Sequence, residues 1–192
     1  MKILTKLAIL LVFATGAIAA DKVPAHPHVQ IETTLGNILL ELDGQRAPIT
    51  VAHILKLVDA GFYDGTVFHR VIPKFMAQGG GFTPELKNKE SDQTIPNESG
   101  NGLGNFRGTI AMARLGDPHT ASSQFFINVK DNTSLDPQAD RWGYTVFGYV
   151  IGGMDVVDKI VKVKTGPAGR FSSDVPIVPI VITKMTRFEY GD

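Results

Sequence analysis

The stretch FHRVIPKFMAQGGG, residues 68–81, places an arginine inside an otherwise apolar and aromatic run and ends on three glycines. Strand alternation predicts that Arg70 shares one face with Phe68 and Ile72, while His69 lies on the other face. A permanently charged side chain in such surroundings is either at a solvated edge or directed at a ligand. The rest of the chain is needed to choose between these two interpretations.

The length and composition of the chain are those of one globular domain. At 192 residues it has room for one well-buried core, and 20 glycines with 11 prolines indicate many turns rather than disorder. The absence of cysteine excludes disulfides, a thiol nucleophile and a thiolate metal site. A formal net charge of zero gives no indication of nucleic acid or of an anionic membrane as a partner.

Residues 1–19 have the three parts of a secretory signal peptide. Lys2 and Lys6 give a positive start, an apolar run covers residues 7–13, and Ala17-Ile18-Ala19 supplies the small residues at which a signal peptidase cuts. The run is too short for a spanning helix, which needs about 20 apolar residues. An amphipathic surface helix and an uncleaved anchor remain as alternatives. We expect a cleaved signal, a periplasmic location and no stable membrane insertion of the mature chain.

Residues 20–27 are polar and aperiodic, which predicts a flexible arm in front of one folded domain, residues 28–192. His26 and His28 form an H-x-H pair, for which a metal site and a solvated terminus are the two interpretations. Two histidines without a third ligand favour the solvated terminus. No metal and no cofactor is therefore expected.

The domain is predicted to be mainly β. Alternation from Val29 onward indicates a hairpin around Gly36, and further short runs bring the count to about eight strands, without βαβ alternation or internal repeats. Two helices are predicted, one from Pro48 to just before Gly61 and one over residues 154–161. A closed antiparallel barrel leaves no strand edge unpaired and is favoured over a sandwich.

The first predicted helix carries an apolar stripe at helical spacing: Val51, Ile54, Leu55 and Val58. His53 lies off this stripe and is predicted to be exposed. The segment from residue 79 to residue 108 is long, polar and aperiodic. In a compact domain such a segment is a functional loop or a loop folded on itself.

Further polar and aromatic side chains are predicted near Arg70. In SSQFFIN, residues 122–128, Gln124 and Phe126 share one strand face, and Gln78 adds a second amide. This set has no nucleophile, carboxylate base, metal-ligand group or phosphate-binding loop, so a hydrolase is poorly supported. An apolar pocket with one charged donor suits rotation about the peptide bond before proline, which breaks no covalent bond.

The transition state of that rotation favours a fixed donor. The nitrogen of the twisted bond regains a lone pair, to which an arginine donates without being deprotonated, while a glutamine holds the arginine in place. Shortening tens of seconds to milliseconds takes about 5 to 6 kcal/mol. One charge-assisted contact and tighter packing of the twisted substrate are sufficient for this.

Three segments of the chain, FHRVIPKFMAQGGGF, SSQFFIN and VFGYVIGGMDVVDKI, resemble the signature segments of the cyclophilin family of peptidyl-prolyl cis-trans isomerases. The resemblance covers nearly the whole chain after Pro27. With its signal peptide and short loops, the chain is most similar to the periplasmic cyclophilins of Gram-negative bacteria. The resemblance implies an eight-stranded antiparallel barrel capped by two helices, with the substrate groove on its outer surface.

The resemblance also implies Arg70 as the catalytic arginine and Gln78 as the residue that orients it. Eight substrate-binding positions are implied: His69, Phe75, Met76, Ala113, Gln124, Phe126, Leu135 and Tyr144. Among these Phe75, Met76 and Phe126 wall the proline pocket, with Leu135 on its far side. Gln124 and Ala113 contact the peptide backbone and the residue before proline.

The chain departs from the family pattern at two of its positions. Ser134 stands where many members have a tryptophan that hydrogen-bonds the inhibitor cyclosporin, and Tyr144 stands where many have a histidine. Weak cyclosporin binding is therefore expected. The segment from Arg114 to Thr120 is longer than in common members, so no backbone contact is assigned there.

Two functions from different classes remain open at this point. One is an isomerase that acts on Xaa-Pro bonds of unfolded or partly folded polypeptides. The other is a binding module or holdase chaperone that grips proline-containing segments in the same groove without turnover. A monomer is expected in either case, because no heptad pattern or exposed apolar stripe is evident.

Overall fold

The computed structural model describes residues 23–89 and 91–189, so the predicted signal peptide and the first residues of the predicted arm lie outside the described residues. The strands are β1 His28–Thr33, β2 Gly36–Leu42, β3 Val67–Ile72, β4 Met76–Gly79, β5 Thr109–Met112, β6 Phe125–Asn128, β7 Val146–Gly152, β8 Thr165–Ala168, β9 Phe171–Pro176 and β10 Ile180–Phe188. The helices are α1 Pro48–Asp59 and α2 Met154–Ile160, with a short 3₁₀ turn at Thr133–Leu135.

Eight of these strands form a closed antiparallel barrel in the order β1-β10-β3-β4-β6-β5-β7-β2. Their inward side chains, together with the buried stripe of α1, make one main core. Helix α1 packs against β10 and α2 packs against β2. The predicted fold class, a closed eight-stranded barrel with two helices, is confirmed. Within the described ranges, no helix has the length and apolar character needed to cross a lipid bilayer.

Strands β8 and β9 form a separate two-stranded hairpin that packs against β3 on the outside of the barrel. The sequence did not indicate this hairpin, because β8 contains Gly166 and Pro167 and the first half of β9 is polar. Both features lower strand propensity. The hairpin is important for the site described below, because it adds a rim beside Arg70.

The long segment between β4 and β5 folds on itself and caps α1. Ala47 stands at the N-cap position and has no side chain able to accept a hydrogen bond. The carboxylate of Glu98 accepts from the backbone N–H of Ile49 at 3.1 Å and of Thr50 at 2.8 Å, and also from the Thr50 hydroxyl. A distant loop therefore supplies the cap that the local sequence lacks.

The prediction that His53 is exposed is wrong, since only 5% of this residue is accessible. Its Nε2 atom lies 2.5 Å from the carbonyl oxygen of Ser122, in the segment just before β6. Burial lowers the pKa of the imidazole. The segment that buries His53 contains Ser122, which lies 69 residues further along the chain. The helical periodicity of α1 could not predict this contact.

Candidate active site

A β-bulge in β3 determines which side chains accompany Arg70. Phe68 pairs with Gly79 and Arg70 pairs with Gln78, so His69 is an extra residue in β3. The extra residue shifts the alternation. Phe68 is 1% exposed and belongs to the main core, whereas Arg70 lies on the outer surface. The prediction that Phe68 and Arg70 share a face is therefore wrong.

The register of β4 and β6 places the predicted aromatic and amide residues together. Gln78 lies directly opposite Phe126, and Arg70 lies opposite Gln78 on the other side. Phe125 and Ile127 belong to the main core, while Phe126 lies in a separate buried cluster on the outside of the sheet. The predicted alternation of this strand is confirmed.

A cavity of about 140 Å³ opens on this outer surface, and we call it the first cavity. Eight of the ten predicted site residues line it, together with Arg114: Arg70, Phe75, Met76, Gln78, Ala113, Phe126, Leu135 and Tyr144. His69 and Gln124 do not line the first cavity but a neighbouring one. The structure thus brings most of the predicted residues around one space.

The walls of the first cavity are mainly apolar and fixed by packing. Met76 and Phe126 are buried, and Phe75, Leu135 and Tyr144 pack against them while remaining partly exposed. The rings of Phe126 and Tyr144 meet edge to face at 5.6 Å. A slot of this kind accepts a small apolar ring with little rearrangement.

Arg70 is the charged residue at the edge of this slot. Its side chain is 40% exposed, and its Nε atom lies 4.0 Å from Oδ2 of Asp174 in β9. A pair at this distance and exposure contributes little to stability. The guanidinium therefore stands half in water beside the apolar slot, with its charge available to a ligand.

Gln78 makes its side-chain hydrogen bond to another predicted site residue. Its Nε2 atom donates to Oε1 of Gln124 at 3.0 Å, which links β4 to the segment before β6. The resemblance implied that Gln78 orients Arg70. In the structure the two residues are direct cross-strand neighbours, and the amide of Gln78 is itself fixed by Gln124.

Comparison with known proteins identifies the family. Residues 28–186 match the family model described as cyclophilin type peptidyl-prolyl cis-trans isomerase/CLD. The chain belongs to the cyclophilin-type peptidyl-prolyl cis-trans isomerases. This cyclophilin is 52% identical over 155 residues to peptidyl-prolyl cis-trans isomerase A of Dickeya dadantii, a match that covers 81% of each chain.

Two other relatives support the same assignment. Peptidyl-prolyl cis-trans isomerase B of Escherichia coli K12 is 48% identical over 161 residues, which cover 82% of this cyclophilin and 98% of the relative. The crystal structure of a Cryptosporidium parvum cyclophilin, determined in the presence of the dipeptide Ala-Pro, has a TM-score of 0.71 and 28% identity. That match covers 85% of this chain and 99% of the other. The enzyme class is thereby established, and the alternative of a binding module without turnover is not supported.

A second cavity of about 230 Å³ adjoins the first in this cyclophilin. His69 and Phe82 lie at its inner end, and the hairpin contributes Arg170 and Phe171. His69 is 1% exposed, and the centroid of its ring lies 4.5 Å from the centroid of the Phe82 ring. Burial, opposed by a backbone hydrogen bond and aided by two nearby arginines, lowers the pKa of His69 to about 4. The imidazole is therefore neutral at pH 7.

A buried amide network behind the first cavity was missed by the sequence analysis. Asn132 donates to the carbonyl oxygen of Phe75 at 2.9 Å and to Oδ1 of Asn128 at 2.7 Å. Asn128 donates to Asn105, which donates in turn to Asp136 next to Leu135. The network thereby fixes the backbone at Phe75 and beside Leu135, two residues of the apolar wall. The available signal was Asn128, a polar residue in an otherwise apolar strand.

His26 in the predicted arm and His28 at the start of β1 both contact one carboxylate. Nδ1 of His26 and Nε2 of His28 lie 3.3 Å from the two oxygens of Glu41. Tyr149 also donates to this carboxylate, at 2.6 Å. Among residues 23–89 and 91–189, no group of three or more histidine or acidic side chains is arranged to hold a metal ion.

Proposed function

We propose that this cyclophilin binds the pyrrolidine ring of an Xaa-Pro segment in the first cavity and that Arg70 catalyses rotation about the bond before the ring. The observation that carries the proposal is the meeting of Arg70 with three apolar walls, Phe75, Met76 and Phe126, around one space of about 140 Å³. The Cryptosporidium relative was crystallised in the presence of Ala-Pro, which supports a ligand of this kind.

Arg70 acts on the nitrogen of the Xaa-Pro peptide bond, and no covalent bond is broken. The planar peptide has no basic lone pair on nitrogen, because resonance delocalises it, and this resonance gives a barrier of about 18–20 kcal/mol. As the bond twists, the lone pair localises and accepts a hydrogen bond from the guanidinium. Since this bond is strong only in the twisted state, it lowers the barrier without tightening the ground state equally.

The remaining site residues hold the substrate and the catalytic group. Gln78 and Gln124, joined by their own hydrogen bond, present amide groups to the substrate backbone beside Ala113. Leu135 and Tyr144 close the far wall of the first cavity. His69 supports the floor of the second cavity from its buried position, which makes its role indirect.

We also propose that the enzyme acts in the periplasm on unfolded or partly folded proline-containing polypeptides. The support is the tripartite pattern of residues 1–19 together with a groove open to solvent. Fractionation of cells that express the full chain, with mass spectrometry of the amino terminus, tests this. Recovery of a chain without residues 1–19 in the periplasmic fraction is expected, and an intact chain in the cytosol would exclude it.

A protease-coupled isomerase assay on an Xaa-Pro peptide tests the catalytic role of Arg70. We expect Arg70→Ala to reduce kcat/KM by about 100-fold or more, because the donor to the twisted nitrogen is lost. Arg70→Lys should reduce kcat/KM by a smaller factor, because lysine keeps the positive charge but not the planar donor fork. Arg46→Ala, which removes an exposed arginine remote from both cavities, is the matched control. Unchanged turnover in folded Arg70→Ala would refute the assignment, whereas no turnover in the unmutated chain together with suppressed aggregation would favour a holdase.

A further inference from the structure

The second cavity is lined by three arginines, and its charge is not explained by rotation about the prolyl bond. It shares Arg70 and Arg114 with the first cavity, and the hairpin adds Arg170. One such residue at a groove is unremarkable, but three around about 230 Å³ make a positively charged compartment. The inference below rests on the proposed function, because it concerns the same substrate.

Arg114 is held in place by neutral groups. Its guanidinium donates to the carbonyl oxygens of Leu115 at 2.9 Å, Trp142 at 2.9 Å and Gly143 at 3.2 Å, and it lies over the ring of Tyr144 at 4.6 Å. Carbonyl oxygens and an aromatic face orient a cation but do not neutralise it. The positive charge of Arg114 is therefore fixed beside the cavity and remains uncompensated.

Arg170 is placed in a similar way. Its guanidinium lies over the ring of Phe82 at 4.8 Å and near the ring of Phe171 at 5.6 Å. Within residues 23–89 and 91–189, the one carboxylate within ion-pair distance of any of the three arginines is that of Asp174, at 4.0 Å from Arg70. One carboxylate, at the limit of contact with Arg70, stands against three guanidinium groups, so positive charge is in excess around the second cavity.

We propose that the second cavity binds the carboxylate of an aspartate or glutamate in the substrate, close in sequence to the proline, and that Arg170 is the residue that determines this specificity. The two cavities share a wall, and an extended peptide advances about 3.3–3.6 Å per residue. A side chain one to three residues from the proline therefore reaches the second cavity while the ring fills the first. The substrate class is thus a proline segment with a nearby acidic residue.

Paired peptides that differ only in Glu against Gln test this inference. The acidic residue is moved through the three positions before and the two positions after proline, and kcat/KM is measured at low and high salt. We expect the Glu peptide to exceed the Gln peptide by about 3- to 10-fold at one or two positions, with the ratio falling at high salt because Arg170 is exposed. Arg170→Gln is expected to bring the ratio to about one.

Two further variants sharpen the result. Asp174→Asn removes the internal carboxylate and is expected to raise the Glu/Gln ratio, and asparagine tolerates the left-handed backbone at this position, where φ is 67°. Arg46→Gln makes the same charge change as Arg170→Gln away from both cavities and should leave the ratio unchanged. Opposite shifts in Arg170→Gln and Asp174→Asn are specific to a charged subsite.

The outcomes separate this inference from the proposed function. Isomerisation of every peptide with Glu/Gln ratios near one at all positions would overturn the acidic subsite and leave the isomerase intact. A preference for Glu that persists in Arg170→Gln would overturn the role of Arg170. Loss of isomerisation for all peptides in the unmutated enzyme would instead overturn the proposed function.

Discussion

The side-chain amide of Gln78 donates to the side-chain carbonyl of Gln124 at 3.0 Å, and this bond lies on the boundary between the two cavities. Because each glutamine fixes the other, we expect them to act as one unit. Gln78→Ala and Gln124→Ala should each reduce kcat/KM by about 5- to 20-fold, and the double variant should lose less than the product of the two effects. A double-mutant cycle on kcat/KM, converted to free energy, should give a coupling of about 0.5–1.5 kcal/mol. Independent effects would show that the bond has no catalytic importance.

The amide network predicts a combined effect on stability and substrate binding. Asn132→Ala removes the side-chain donor to the carbonyl oxygen of Phe75, which keeps the backbone N–H of Val129, and removes the donor to Oδ1 of Asn128. The loss of these buried hydrogen bonds costs about 1–3 kcal/mol of unfolding free energy. Since the wall of the first cavity loosens, KM should rise more than kcat falls. Urea unfolding and steady-state kinetics measure the two effects. Asn37→Ala, at an exposed strand position, is the control and should change stability by less than about 0.5 kcal/mol.

The remote cap of α1 predicts that Glu98→Gln destabilises the fold. The variant keeps the shape of the side chain but loses the negative charge that accepts from Ile49 and Thr50 at the positive end of the helix. We expect a loss of about 0.5–2 kcal/mol in urea unfolding. Glu85→Gln, an exposed glutamate in the same long segment, provides the comparison. Equal unfolding midpoints for the two variants would show that the cap does not stabilise the helix.

Sequence patterns predicted the barrel and the outward position of Phe126 because these depend on local alternation, whereas most other residues of the first cavity were implied by the family resemblance. Gln78 and Phe126 lie on short strands whose inner and outer faces are encoded by period two. The bulge at His69 was not predictable, because a single extra residue in β3 does not give the strand a distinctive amino-acid composition. The burial of His53, the cap from Glu98 and the β8–β9 hairpin all depend on contacts between distant segments. Such contacts are fixed by tertiary packing and not by local propensity.

The depressed pKa of His69 predicts sensitivity to acid. In the unfolded chain a histidine takes up a proton near pH 6.5, whereas the buried His69 does so only near pH 4. The unfolded state therefore binds more protons below pH 6.5, so stability is complete above this pH and falls by up to about 3 kcal/mol as the pH drops to 4. Urea midpoints of the wild type and of His69→Gln, measured between pH 7.5 and 4.5, should show a smaller decrease in the variant.

A direct titration tests the same prediction if His69→Gln does not fold. The imidazole resonances of His69 in the intact protein should stay unchanged from pH 7.5 to 5.5 in NMR spectra. A transition of this ring near pH 6.5 would contradict the burial argument. His53, whose pKa is also lowered by burial, contributes acid sensitivity of the same sign.

Ser134 predicts weak binding of cyclosporin. It is exposed on the 3₁₀ turn next to Leu135, which lines the first cavity, and a serine cannot offer the indole N–H that the inhibitor accepts in members with tryptophan at this position. Ser134→Trp should tighten cyclosporin binding by about 10-fold or more, which corresponds to about 1.4 kcal/mol. Isothermal titration calorimetry on both proteins measures the difference. Equally tight binding by the unmutated enzyme would contradict the prediction.

The β8–β9 hairpin has a consequence for how this enzyme diversifies. The eight barrel strands satisfy one another's backbone groups in a closed ring, so the hairpin is not needed to complete the sheet. Residues such as Arg170 can therefore be exchanged at little thermodynamic risk to the scaffold. Under the two proposals above, barrel strands provide Arg70 and Gln78 for catalysis and the hairpin provides Arg170 for substrate selection, so substitutions in the hairpin would alter selectivity while the barrel stays unchanged.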